Sequence, residues 1–378
     1  LTNFSDMQDK TKIMIGSAAQ PGAGRGLDTF AGIPANIIPS VGGDASALSH
    51  SVPSDPPAFR TTCSSFAAWG SRTEGGKLFG TRDLDWESDR GINNFSLVAV
   101  YEPETEDGTP LNRFAIAGYM GLIGALDGLN EAGIMLGEIG SLNTAETQGG
   151  VPWTIKFRMV LEHADDLESA VRILEKTKNT VGYNFVVGFG DARRYGTPEW
   201  NPGAAAVEQN RDYTAVFHDN DPAEATAVWV DRNGEPVLVD GKPQRYGYPL
   251  PEAVYRADPA MSPDIRKTQT ADNGPGDPAH NGDPREGGSY RKRYIPHYKM
   301  FRALEEGQAF THEGREVFPA TDEPIKTGPE EAMKILDVVS MKGSNIIAVV
   351  YDATELDMWV AYESKQDGKW KPASDNQY

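Results

Sequence analysis

The stretch that decides the reading runs Thr62-Cys63-Ser64-Ser65-Phe66-Ala67-Ala68-Trp69-Gly70. After a polar turn it continues Lys77-Leu78-Phe79-Gly80-Thr81-Arg82-Asp83-Leu84-Asp85-Trp86. Two such runs around a polar turn predict a β-hairpin with Cys63 at its head. Cys63 is the one cysteine in 378 residues, so it forms no internal disulfide and is either inert filler or a nucleophile. Free cysteine is usually a small buried hydrophobe. The second strand argues against filler, because it brings Arg82 and Asp85 back alongside the thiol. A neighbouring cation stabilises a thiolate, and a carboxylate can hold an amine or a proton donor in place.

Composition narrows the classes of function. The length suits one large domain or two. A hydrophobic content of 39% is enough for a core, and no apolar run approaches the length that spans a bilayer. Thirty-six basic residues against fifty-five acidic ones leave a net charge of −19. That excess argues against nucleic acid and anionic membrane surfaces as partners and favours solubility. Opening on Leu1 rather than a methionine is compatible with signal removal upstream and with export. A single cysteine excludes a disulfide scaffold without choosing a compartment.

Residues 1–62 differ from the rest. Apart from Lys12-Ile13-Met14-Ile15 they are rich in Gly, Pro, Ser and Ala, as in Gln20-Pro21-Gly22-Ala23-Gly24 and Ser51-Val52-Pro53-Ser54-Asp55-Pro56-Pro57. With little periodicity to build a core, they read as a linker, propeptide or wrapped arm. From Cys63 the pattern is dense. Strands are expected at 95–101 and 113–118, followed by two apolar strands about the turn Asp127-Gly128-Leu129-Asn130-Glu131-Ala132-Gly133-Ile134. The period then changes to helical over 152–163 and 165–174, with Asp165 as N-cap and Glu168 three residues on. Further strands are expected at 181–189, 204–208 and 213–218, a helix with a basic start at 289–304, and a terminal hairpin over 345–361. Strands followed by helices and further strands predict layered helix–sheet packing. Residues 270–288 are a loop by composition, whose Asp and Asn oxygens lack the spacing of a calcium loop.

Cys63 followed by Gly80-Thr81-Arg82-Asp83-Leu84-Asp85-Trp86 resembles the start of the penicillin V acylase, bile salt hydrolase and isopenicillin N acyltransferase group, which are N-terminal-nucleophile (Ntn) hydrolases. The Asn130-Glu131-Ala132-Gly133 turn and the terminal hairpin resemble that group too, so the resemblance runs almost to the C-terminus and is weak from about 190 to 285. It implies an α+β fold, an αββα sandwich of two antiparallel sheets between helical layers. It also implies that the precursor cuts itself before the cysteine, whose freed α-amine is then the base for its own thiol. Carried over, Cys63 is the nucleophile, Arg82 the thiolate partner, Asp85 the amine anchor and Thr62–Cys63 the scissile bond. Residues 1–62 become a pro-segment and 63–378 the acylase or acyltransferase domain.

An amidase needs an activated thiol, a proton shuttle and donors for the oxyanion. None of the six histidines has a compelling context near Cys63 in the sequence, and a terminal amine with pKa near 8 can replace one. The resemblance implies an Asn as oxyanion donor. Asn220 is one candidate. The other position is Asp258 in Ala257-Asp258-Pro259, where many relatives show Thr-Asn-His and where an aspartate donates only when protonated. A second donor position reads Gly137-Glu138-Ile139-Gly140, where a backbone N–H can serve. For a further Arg, the segment Ser289-Tyr290-Arg291-Lys292-Arg293-Tyr294 offers Arg291 first and Arg293 second. Basic residues at a helix start oppose its dipole and so call for a reason.

The expectation is a self-processing Cys63 amidohydrolase or acyltransferase acting on a linear amide of a small N-acylated molecule through a thioester. It requires no cofactor or metal, and homo-oligomers are compatible with it. The contrasting expectation is a catalytically silent protein that keeps the fold around an unprocessed Cys63.

Overall fold

The computed structural model describes residues 62–86, 92–230, 235–269, 289–366 and 369–376. The expected pro-segment and the 270–288 loop therefore lie outside the described residues, Thr62 excepted.

In chain order the main strands are β1 (Thr62–Ala68), β2 (Phe79–Asp85), β3 (Ser96–Tyr101), β4 (Phe114–Tyr119), β5 (Asp127–Asn130), β6 (Ile134–Gly140), β7 (Tyr183–Phe189), β8 (Gly203–Gln209), β9 (Thr214–His218), β10 (Ala253–Arg256), β11 (Asn345–Asp352) and β12 (Asp357–Tyr362). The longer helices are α1 (Trp153–His163), α2 (Leu167–Lys176), α3 (Ile295–Glu306) and α4 (Pro329–Val339). A π-helical turn at Tyr290–Tyr294 leads into α3.

Two antiparallel sheets carry the fold. One has five strands in the order β10-β1-β2-β11-β12, the other seven in the sequential order β3 to β9. Helices α1 and α2 cover the outer face of the seven-stranded sheet, where Phe157, Val160, Leu161, Ala170 and Leu174 pack on Ile134, Leu136, Phe185 and Val207. Helices α3 and α4 cover the outer face of the five-stranded sheet. The result is the αββα sandwich that the resemblance implies. Its central strands are buried on both faces, and so β2 and β6 read as continuous buried runs rather than alternating ones.

The sheets face each other across small residues. A Cβ on Gly137 of β6 would collide with the Ser65 side chain of β1, and one on Gly80 of β2 with Met135. Glycine at these two positions allows a close approach that any side chain would prevent.

Helix α2 begins one residue later than the sequence suggests. Asp166, not Asp165, is the N-cap: its carboxylate accepts from Ser169 N–H at 2.7 Å, and Ser169 Oγ accepts from Asp166 N–H at 3.1 Å. Asp165 is engaged instead by Arg193 at 2.7 Å. Serine at the third helical position closes the capping box as Glu168 would have done.

Candidate active site

The hairpin register sorts the residues by face. Cys63 lies opposite Leu84 and Ser65 opposite Arg82, whereas Thr62 lies opposite Asp85 and Ser64 opposite Asp83. Directly paired residues share a face, so Cys63 and Arg82 face the seven-stranded sheet while Asp83 and Asp85 face the helices. Cys63 is 2% exposed and Arg82 1%. Arg82 donates through Nη2 to Glu138 Oε2 at 2.8 Å and through Nη1 to the Asp83 carbonyl oxygen. Its Nε makes no hydrogen bond among the described residues.

On the helix side, Arg293 spans two carboxylates. It donates through Nη1 to Asp83 Oδ2 at 2.7 Å and through Nη2 to Asp85 Oδ2. Asp85 Oδ2 also accepts from Met341 N–H at 3.0 Å, and Asp83 accepts from Ser64 Oγ at 3.1 Å and from Asn345 Nδ2 at 2.5 Å. Burial raises the pKa of both acids, and Arg293 opposes that rise.

Asp258 completes the site. In the uncut chain the Cys63 N–H donates to Asp258 Oδ1 at 3.2 Å, and Asp258 is fully buried. Its other oxygen, Oδ2, has no hydrogen-bond partner among the described residues. The backbone here is firmly held: Asn184 Nδ2 donates to the carbonyls of Ala257 and Asp258 at 2.8 and 3.0 Å. Gln269 Nε2 donates to the Asp258 carbonyl at 3.0 Å, and Glu208 accepts from the N–H groups of Met261 and Ser262 at 2.8 Å each. Glu208 and Glu224 are in turn paired with buried Arg256.

Electrostatics in this uncut state disfavour a thiolate. Burial pushes the Cys63 thiol up to about 12; Arg82 opposes this, while Glu138, Asp258 and Asp85 add to it. Burial likewise pushes Glu138 up to about 7 against Arg82, and Asp258 up to about 6 against Arg293. Two acids therefore stand beside a neutral thiol, each able to carry a proton near neutral pH.

The structure brings Cys63, Arg82, Asp85 and Asp258 together and leaves two expected residues outside. Asn220 is exposed at the turn after β9, with φ 50° and its N–H on the Leu250 carbonyl at 2.9 Å. It lies exposed in a turn, whereas Cys63, Arg82, Asp85 and Asp258 are buried. Arg291 is exposed, while Arg293, two residues on, is 2% exposed on the acid pair. Asp85 was expected to anchor the amine. In the uncut chain the Cys63 nitrogen is held by Asp258 instead, and Asp85 keeps Oδ1 without a partner among the described residues. Asp83 and the side chain of Glu138 were not expected at the site. The Asp83/Asp85 spacing of two along a strand was the available signal for the first. His297 packs against Phe66 and Tyr255 and is pushed down to about 4 by burial, so it is no shuttle at the thiol. Among the described residues no group of three or more His, Cys, Asp or Glu is placed to hold a metal ion.

These shifts predict a pH-dependent stability. Glu138 and Asp127 are pushed up to about 7, and Asp258 to about 6, by burial. In the folded state they hold protons that the unfolded chain has released, so stability falls as pH rises from roughly 4 to 7. His297, pushed down to about 4, works in the opposite sense up to roughly pH 6.5, and buried Lys156, pushed down to about 7, does so above that pH, but they are two groups against three. Each net proton contributes about 1.4 kcal/mol per pH unit. Cys63→Ala protein, which remains uncut on this reading, is expected to melt several degrees higher at pH 5.5 than at pH 7.5 by calorimetry. An equal or lower melting point at pH 5.5 would contradict these shifts.

Residues 72–225 match the family model of acyl-coenzyme A:6-aminopenicillanic acid acyl-transferase. The protein dcd1B of Dictyostelium discoideum is 26% identical over 194 residues, which is 48% of this chain and 36% of that protein, so the match spans about a third of its length. Among solved structures, the chain is similar to the Caenorhabditis elegans ortholog of N-acylethanolamine-hydrolyzing acid amidase, with 12% identity and a TM-score of 0.42 over 79% of this chain and 99% of that one. It is similar to penicillin V acylase from Agrobacterium tumefaciens at 14% identity and a TM-score of 0.42, covering 79% and 83%. Conjugated bile acid hydrolase from Clostridium perfringens, in a mutant form, aligns at 12% identity and a TM-score of 0.43, covering 84% and 95%. Over residues 72–225, less than half of its length, the chain is similar to that acyl-transferase family. Among the described residues no helix is long and apolar enough to cross a membrane.

Proposed function

We propose that this chain is a self-processing cysteine amidohydrolase or acyltransferase, in which residues 1–62 are the pro-segment and 63–378 the catalytic domain. Cys63 attacks the carbonyl of a small N-acylated amide, the amine leaves, and the Cys63 thioester passes its acyl group to water or to a second amine. The observation that carries the reading is the setting of Cys63: a buried thiol beside Arg82, with its backbone nitrogen on a carboxyl group. Cutting Thr62–Cys63 would turn that nitrogen into an amine next to the sulfur that needs a base. The test is to quench processed protein in acid during turnover of N-acyl amides, penicillin V included, and to weigh the fragment that begins at Cys63. A mass increase by one acyl group on Cys63 is expected; a panel that is consumed with no such adduct would overturn the thioester.

Arg82 and Glu138 make a second test, because their charges act on the thiol in opposite directions. Arg82→Leu is expected to slow iodoacetamide labelling and raise its pH midpoint by about one unit or more, as for loss of a close opposite charge. Glu138→Gln is expected to speed labelling and lower the midpoint. Matching profiles in all three proteins would place these charges out of reach of the sulfur.

One observation favours the silent reading. Asp258 stands where the resemblance calls for an Asn donor, Glu138 lies in the segment of the second donor position, and an ionised acid repels an oxyanion. Its signature would be a Cys63 that stays in an intact chain and takes no acyl group at any pH.

A further inference from the structure

We propose that Asp258 is the proton donor for cleavage of the Thr62–Cys63 bond, delivering its carboxylic proton to the departing nitrogen of Cys63. This rests on the self-processing reading above and assigns Asp258 a step that an oxyanion donor does not perform.

Breaking an amide through a thiol has a specific difficulty. The tetrahedral adduct can expel either sulfur or nitrogen, and the thiolate is much the better leaving group. Collapse toward the thioester occurs only if the nitrogen is protonated as it leaves. A donor must therefore sit on that nitrogen, and Asp258 Oδ1 is 3.2 Å from it. The carboxyl group is buried, with one oxygen on the nitrogen and the other unpartnered among the described residues, so it has a place for a proton.

The step balances without a co-reactant other than water. Sγ adds to the Thr62 carbonyl carbon, and the thiol proton moves to the carbonyl oxygen. Collapse re-forms the C=O bond and breaks C–N; the electron pair of that bond takes the proton of Asp258. The hydroxyl proton released in the collapse then restores Asp258. What remains is a Thr62–Cys63 thioester and a free α-amine beside the carboxyl group, and water hydrolyses the thioester to release the segment ending at Thr62.

The surroundings keep Asp258 protonatable. From β1 it faces the Cys63 N–H, whose hydrogen bond favours ionisation; from β2 it faces Asp85 and from β6 Glu138, whose negative charges disfavour its own. From the π-helical turn it faces Arg293, which favours ionisation, and Ser289, whose Oγ accepts from the Asp258 N–H at 3.5 Å. From β7 and the loop before residue 270, Asn184 and Gln269 bond only its backbone carbonyl. Burial decides the balance, and the acid is pushed up to about 6.

The experiment follows processing of the freshly purified full chain by denaturing mass spectrometry from pH 4.5 to 8.5. Wild-type cleavage is expected to accelerate as pH falls through about 6. Asp258→Asn keeps the shape and a hydrogen bond but has no acidic proton, so it is expected to cut on the order of 10²–10⁴ times more slowly, with a flat profile. Asp258→Glu keeps the proton one methylene away and is expected to cut slowly with the pH dependence retained. It also provides the comparison should Asp258→Asn lose its cooperative thermal transition. Wild-type and Asp258→Asn chains cutting at one rate with one profile, or a flat profile for Asp258→Glu, would overturn the inference alone. A wild type uncut at every pH would remove the self-processing reading and this inference with it.

Discussion

Cys63→Ala is expected to remain a single intact chain under conditions in which the wild type yields a fragment beginning at Cys63. The sulfur is the nucleophile for the first cut and for every later turnover on this reading, so its loss removes both at once. Turnover is expected to fall on the order of 10⁶, the scale seen when a covalent nucleophile is deleted. The fold should survive. Cys63 is a small side chain in a packed site, and removing one buried sulfur costs about 1 kcal/mol. Its neighbours keep their partners, because Arg82 remains on Glu138 and the backbone nitrogen of residue 63 remains on Asp258. Cys63→Ser separates chemistry from shape further: the hydroxyl fits the space but is the weaker nucleophile, so slow partial cutting is expected. Denaturing mass spectrometry over several days reads all three proteins. Equal cutting in wild type and Cys63→Ala would assign the cut to another protease.

Much of the frame follows from the sequence because it rests on local chemistry. The Cys63 hairpin, the two helices at 153–176 and the terminal hairpin have unambiguous periods, and each appears within one to three residues of its expected place. What the sequence does not carry is the partner of each charge. Arg291 and Arg293 are two apart on a helical turn and so lie on nearly opposite sides, and nothing local says which side is inward. The choice is made by Asp83 and Asp85, more than two hundred residues earlier in the chain. Asn220 follows a strand, yet His218-Asp219-Asn220-Asp221-Pro222 is equally turn chemistry, and Asn tolerates the left-handed φ of 50° it adopts. Glu138 lies on a strand whose two faces are both buried, so alternation gives no hint that its charge points at Arg82. That Asp258 stands where the resemblance implies an Asn is legible in the sequence. Only the fold shows that the carboxyl group meets the Cys63 nitrogen.

Arg293→Leu is expected to be the most destabilising single change at the site. Its guanidinium holds Asp83 and Asp85 together on the helix face of β2, and all three side chains are at most 2% exposed. Without it, two carboxylates remain buried close to each other, with Ser64, Asn345 and the Met341 N–H as hydrogen-bond donors but no comparable counter-charge on that face among the described residues. Removing one partner of a buried ion pair typically costs about 3–5 kcal/mol, because the other is left charged in a low dielectric. Urea unfolding at pH 7.5 should show that loss. The explanation makes a second demand. If the penalty is stranded charge, protonating the acids relieves it, so the gap between Arg293→Leu and wild type should narrow toward pH 5. Adding Asp83→Asn and Asp85→Asn to Arg293→Leu should recover part of the loss at pH 7.5, since the neutral amides carry no charge to strand. A loss below about 1 kcal/mol, or a gap unchanged with pH, would mean that Arg293 fills space rather than neutralising the pair. Because Arg293 also opposes the upward shift of Asp258, any folded Arg293→Leu protein should begin to process at higher pH than the wild type, coupling the stability of the hairpin to the chemistry at Cys63.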